Sequence, residues 1–233
     1  QANKVLIASS QGAFQISYQG EIEHHFKRQV SNQKGLSENT TLAIFKSQKG
    51  DVWLGTETQG LYHFRELSSA FGHVYNFQKN ARVSEFYDVR SFAIDAQGVL
   101  WIGTSKGVYL YKDKRFYTAE SVYPPLEKFN NTFITDLYIQ DNVLWVTSRG
   151  AGLAKLDLQT KSTWLVKPNI AGNEVTSFNS VISYKGQLVF SSRTQGLITF
   201  NSKTNTFSHF IPNNENAPSH ATGLYTDGND LWF

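Results

Sequence analysis

The strongest constraint on this chain is a strand-sized motif that returns at a nearly fixed interval. Trp101–Ile102–Gly103–Thr104 is preceded by the turn-like Ala96–Gln97–Gly98 and followed by Gly107. Trp53–Leu54–Gly55–Thr56 leads to Gly60, Trp145–Val146–Thr147–Ser148 to Gly152, and Val189–Phe190–Ser191–Ser192 to Gly196. A weaker version, Leu6–Ile7–Ala8–Ser9, leads to Gly12, and Trp232–Phe233 begins another. The leading positions 6, 53, 101, 145, 189 and 232 are separated by 47, 48, 44, 44 and 43 residues. A period of this length marks stacked units, none of which can bury its apolar faces alone.

Each motif sits in a series of short apolar runs broken by turn residues. The series reads as four strands per unit: 41–46, 51–56, 61–64 and 74–77, then 89–94, 99–104, 108–111 and 115–117. It continues with 134–139, 143–147, 153–156 and 163–166, then 180–184, 187–191, 197–200 and 206–211. A meander over 4–9, 13–18 and 21–30 precedes them, and 221–225 with 231–233 starts a last copy. Four antiparallel strands repeated every 43–48 residues predict an all-β chain built from β-propeller blades, with about five repeats. Composition agrees. Only 18% of residues are charged, against the Glu- and Lys-rich usage of long helices.

In such an array the leading Trp53, Trp101, Trp145 and Trp232 are expected to anchor neighbouring blades. Gly55 and Gly103 are expected where backbones approach closely. Gly60, Gly107, Gly152 and Gly196 are expected in hairpins that need a positive φ. The loops 31–40, 79–88, 118–133, 167–176 and 212–220 recur with the repeat and so should emerge at one end. Residues 1–233 are read as one propeller domain or segment. Leu6 and Trp232 hold the same repeat position and compete for one slot in a closed ring. The expectation is therefore a segment of a larger propeller of seven or more blades, with a closed five-bladed ring as the alternative.

The stretch VRSFAIDAQGVLWIGT at 89–104, followed by Gly107, closely resembles the two-component regulator propeller repeat, as does GDVWLGT at 50–56 followed by Gly60–Leu61. The likeness extends in register through all five units. The departures are at 6–9, at Thr147–Ser148 and at Ser191–Ser192, where the Gly–Thr pair is replaced. The resemblance implies the extracytoplasmic sensor region of a bacterial membrane receptor, with a histidine kinase, often hybrid, or a diguanylate cyclase as output. It implies a periplasmic location, an inner-membrane anchor supplied by other segments, and a homodimeric full-length receptor. Some members of the family sense oligosaccharides.

The residues themselves suggest no catalysis. His24, His25, His63, His73, His209 and His220 form no metal-ligand spacing, and no metal or cofactor is expected. Carboxylates such as Glu127 and Asp136 are scattered, so sequence selects no glycosidase pair. A propeller lyase or glycosidase is the weakest of three readings, after a ligand sensor and a protein-interaction propeller. The net charge of +3 is small and its basic residues dispersed, which gives nucleic-acid binding little support. There is no cysteine, hence no disulfide or thiolate chemistry.

Candidate ligand or interface residues lie where the ruler stops. Counting each leading residue as the first, the fifth residues are Ser10, Glu57, Ser105, Arg149 and Arg193, expected at one mouth of the array. Arg149 and Arg193 occupy consecutive repeats and could converge on an anionic or hydroxyl-rich ligand. The simpler account makes them solvated turn arginines. Tyr117, Tyr123 and Phe129 could form a stacking surface or a dimer contact. Their simpler account is packing of the loop onto blade edges. Trp164 reads as core or blade-edge packing.

Overall fold

The computed structural model describes residues 4–28, 36–47, 50–65, 71–74, 88–113, 115–210 and 220–233. Its antiparallel sheets follow one another in chain order. Blade I has three strands, Lys4–Ser9, Gly12–Ser17 and Ile22–Phe26. Blade II has four, Thr41–Lys46, Asp51–Thr56, Leu61–Arg65 and Phe71–Val74. Blade III has Val89–Ile94, Leu100–Thr104, Gly107–Lys112 and Arg115–Thr118. Blade IV has Phe133–Gln140, Val143–Arg149, Leu153–Asp157 and Thr163–Val166. Blade V has Phe178–Tyr184, Gln187–Ser192, Gly196–Asn201 and Thr206–His209. Tyr225–Thr226 then pairs with Leu231–Trp232. The chain is an all-β array of β-propeller blades. Among the described residues no helix is long and apolar enough to cross a membrane.

The strand that carries the repeat motif is the most buried in each full blade. All of Leu100–Thr104 is buried, as are Leu144 to Ser148 and Leu188 to Ser192. The aromatic at its head packs onto the following blade. Trp53 shares a cluster with Leu100, Ile102 and Tyr109, and its ring meets Tyr111 edge-on at 5.5 Å. Trp101 joins Leu144 and Val146 of blade IV. Trp145 meets Phe190 and Phe200 of blade V, with ring centroids 5.4 and 4.8 Å apart. Trp232 differs, being 59% exposed. Its sheet has two strands, so the described residues provide no further strand or blade to cover it as the other three are covered.

The pair after the leading residue has two separate jobs. At the first position, blades approach each other. A Cβ on Gly55 would lie 2.5 Å from the Val89 carbonyl oxygen of blade III, and one on Gly103 would run into Ser91 Oγ and Ile134. At the second, a hydroxyl clamps the hairpin. Thr56 Oγ1 donates to the Gly60 carbonyl at 3.0 Å, and Thr104 Oγ1 to that of Gly107 at 2.9 Å. Ser148 does the same to Gly152 at 2.8 Å, and Ser9 to Gly12 at 2.9 Å. The replacements at Ser9 and Ser148 therefore keep the chemistry, since only the hydroxyl is used. The hairpin glycines Gly60, Gly107, Gly152 and Gly196 have φ of 76°, 128°, 83° and 62°, which non-glycine residues rarely adopt.

Several sequence boundaries shift. The fourth strand of blade II is Phe71–Val74, ahead of the expected 74–77, whose last three residues lie outside the described ones. The expected 21–30 strand is Ile22–Phe26. The 118–133 loop contains two short 3-10 turns, Ala119–Ser121 and Pro124–Phe129, that fold back on blade III. The 167–176 loop carries a two-residue hairpin, Asn169–Ile170 with Asn173–Glu174. Residues 31–35, 79–87 and 212–219 of the expected loops lie outside the described residues.

Candidate functional site

Antiparallel pairing brings the start of each first strand beside the end of the second. Glu57 N–H donates to the Thr40 carbonyl, Ser105 N–H to Asp88, Gly150 N–H to Thr176, and Arg193 N–H to Ser177. The fifth-position residues and the connections between blades thus share one end. Function on a propeller falls most readily there, because loops vary while the strands hold their ends rigid.

At that end, each full blade has a β-bulge opposite its repeat motif. The extra residues are Leu42, Arg90, Thr135 and Asn179 in blades II to V. A bulge turns its side chain out of the normal alternation. Two of these side chains reach the next blade: Thr135 Oγ1 donates to the Phe178 carbonyl at 2.9 Å, and Asn179 Nδ2 to the Ala221 carbonyl at 2.7 Å. In blade III the same place is taken by Arg90. Its guanidinium lies 4.4 Å from the centroid of the Phe133 ring of blade IV, and its Nη2 bonds Asp88 Oδ2 at 2.9 Å. Its Nε is buried with no hydrogen-bond partner.

Phe133 pairs directly with Arg149 across blade IV, and the Arg149 guanidinium lies 4.5 Å from the same ring centroid. The two guanidiniums, sharing one ring, are therefore at most about 9 Å apart. Ser177 ties in the third arginine. It forms a β-bridge with Arg149, and its carbonyl accepts the Arg193 N–H at 3.4 Å. Arg90 and Arg149 thus meet on Phe133, and the backbone of Arg193, from the next blade, is held beside that of Arg149 through Ser177. Partial desolvation, then the like charges of Arg193 and Arg90, hold the Arg149 guanidinium below its ordinary pKa. Among the described residues no ion pair reaches Arg149 or Arg193.

The other sequence candidates are placed elsewhere or differently. Tyr123 and Phe129 are 6% and 1% exposed and pack in the cluster around Trp101, so they offer no stacking surface. The 3-10 turns cause this by folding the loop inward onto blade III. Tyr117 is 40% exposed on the outer strand of blade III. Glu57 is exposed at the same end of blade II. Trp164 is half exposed at the outer edge of blade IV, with Lys155 Nζ 5.5 Å from its ring.

Arg90 and Phe133 were not among the sequence candidates. Phe133 ended what read as a loop, and Arg90 is displaced by a bulge that alternation does not show. A signal existed: the bulge positions 42, 90, 135 and 179 lie 10 or 11 residues before the leading positions 53, 101, 145 and 189. Asp136, on the first strand of blade IV, is a buried inter-blade group. Its carboxylate accepts from Ser180 Oγ at 2.9 Å, Val181 N–H at 3.0 Å and Leu137 N–H at 2.9 Å. Burial nevertheless raises its pKa to about 6.

Residues 85–106 match the family model described as two component regulator propeller. No curated protein matches the chain. Among solved structures, it is similar over 99% of its length to the extracellular domain described as that of hybrid two-component system BT3049 of B. thetaiotaomicron, at 19% identity and a TM-score of 0.76. It covers 30% of that protein. All of the chain matches the extracellular domain described for one-component system BT4673 of B. thetaiotaomicron, at 14% identity and a TM-score of 0.63, and covers 37% of it. The computationally designed protein Ika8 matches 99% of the chain at 10% identity and a TM-score of 0.62, with 64% of that chain covered. The chain therefore spans about a third of the two natural domains, and at these identities the likeness is one of fold.

Proposed function

We propose that this chain is part of the extracytoplasmic sensor region of a bacterial two-component or related signalling receptor. It contributes a ligand-reading mouth, and its blades form part of the rigid body that relays occupancy toward a kinase or cyclase in the same receptor. The observation that carries this reading is the regulator-propeller repeat at 85–106, supported by fold likeness over nearly the whole chain to domains described as extracellular parts of signalling systems. A periplasmic location, an inner-membrane anchor and a dimeric receptor belong to the same proposal. An oligosaccharide is its natural ligand class, because hydroxyl-rich ligands suit a polar mouth with fork-like arginine donors.

Calorimetric titration of the intact chain against an oligosaccharide library tests the reading, together with chemical cross-linking. Saturable binding by one ligand, with a signalling response to that ligand in the full-length receptor, supports it. If no ligand binds while cross-linking captures a homodimer through the blade edges, the chain is an interaction propeller instead.

A further inference from the structure

We propose that the mouth of blades III to V is an oxyanion site, in which Arg149 and Arg193 grip a carboxylate or sulfate carried by a small ligand. Arg90 and Phe133 form the floor that holds Arg149 in place. This rests on the sensor reading and narrows what is sensed.

Three observations carry it. The first is convergence. Arg90, Arg149 and Arg193 come from three blades, and Ser177 ties the last two together through the backbone. Exposed arginines with no common purpose can swing apart into water. Here the Arg149–Ser177 bridge and the Arg193 N–H bond fix the backbone roots of both side chains beside Ser177.

The second observation is imbalance. Asp88 pairs with Arg90, but among the described residues nothing acidic pairs with Arg149 or Arg193. Gathering like charges raises the electrostatic energy of the empty mouth. A bound anion lowers it, so the arrangement favours a negative ligand over a neutral one.

The third is preorganisation. The Phe133 ring supports the Arg149 guanidinium at 4.5 Å and Arg90 at 4.4 Å. A guanidinium resting on a ring still presents its N–H edge, and that planar fork matches the paired oxygens of a carboxylate or sulfate. Arg90 Nε, buried without a partner, adds an unanswered donor beneath. The patch consists of three arginines at one end of blades III to V. A small anion fits this distribution, whereas a polyanionic nucleic acid needs an extended stripe.

The test is calorimetric titration of the intact chain with sodium D-glucuronate, sodium sulfate and D-glucose at low salt. The expected result is saturable binding of glucuronate or sulfate and none of glucose, weakening as salt rises. Comparing the first two distinguishes a carboxylate from a sulfate ligand. Arg149→Ala and Arg193→Ala should each weaken binding about tenfold or more, the usual loss for a charge-assisted contact, with unchanged thermal melts. Arg149→Lys, which keeps the charge and loses the fork, should recover only part of the affinity. Lys106→Ala, at an exposed residue of the same end, should change nothing.

Equal affinity in Arg149→Ala and Arg193→Ala overturns the site, as does failure of both anions to bind. A neutral oligosaccharide that binds the wild type and both variants alike leaves the sensor reading standing and removes the anion. Anion binding without any response of the full-length receptor does the reverse.

Discussion

Replacing Trp101 by alanine separates the scaffold from the site. The indole is 1% exposed, lies in the cluster that joins blades III and IV, and has the Tyr123 ring 5.5 Å away. Its Nε1–H donates to Asp95 Oδ2 at 3.0 Å. A buried Trp removes roughly 200 Å² from water, which at about 25 cal/mol per Å² corresponds to about 5 kcal/mol. Partial collapse of Tyr123, Leu126 and Phe129 into the space lowers this, and large-to-small core substitutions of this kind cost about 3–5 kcal/mol. The Asp95 carboxylate is only half-buried and regains water, so the lost hydrogen bond adds little. The expected cost is about 4 kcal/mol. Trp101→Phe keeps an aromatic ring at the interface and should lose about 1–2 kcal/mol. Urea unfolding gives the free energies, and amide hydrogen exchange gives their location. Because a blade touches only its neighbours, the lost protection should concentrate in blades III and IV. A loss below about 1 kcal/mol, or deprotection spread evenly over all blades, would refute the anchor argument.

Other consequences follow from the same contacts. Gly103→Ala should destabilise by about 1–3 kcal/mol, as overpacking does, because the new Cβ meets Ser91 and Ile134 of the adjoining strands. Gly223→Ala, with nothing within 4 Å of its Cβ, should be near neutral in the same thermal melt. Asp136 predicts an unusual pH slope. Its folded pKa of about 6 lies above the ordinary aspartate value of 3.8, so between those values the folded chain holds a proton that the unfolded chain has released. Its contribution to stability is therefore greatest in acid and falls as pH rises from about 4 to about 6, by on the order of 3 kcal/mol. Asp136→Asn should abolish that slope. It should also be less stable, since its amide would face the Val181 and Ser180 donors. An unchanged slope in urea titrations across this range would show that another group causes it.

The architecture was legible because a blade repeats its constraints at fixed offsets. Trp53, Trp101 and Trp145 report an inter-blade face, whereas the hairpin clamp made by the hydroxyl of Thr56, Thr104 and Ser148 emerges only from the structure. Even the departure from Gly–Thr to Thr147–Ser148 becomes intelligible, since Ser148 retains the donor. That Arg149 and Arg193 stand at one end of their blades was legible for the same reason, from their fixed offset to the leading positions. What was hidden depends on tertiary displacement. Arg90 is moved by a bulge that breaks the two-residue alternation, and Phe133 matters through its cross-strand position opposite Arg149. Tyr123 and Phe129 looked available because an aromatic loop and a buried 3-10 segment have similar compositions. Only the turn of the chain onto Trp101 decides between them.

The most direct measurement is a residue-resolved titration of the arginine, lysine and tryptophan side-chain resonances of the intact chain with sodium glucuronate. Arg149 and Arg193 should shift saturably and together, Arg90 should follow through Phe133, and the Trp101 indole should stay in place. Equal small shifts across all surface arginines, or saturation at Lys155 and Trp164 with Arg149 and Arg193 unmoved, would contradict it.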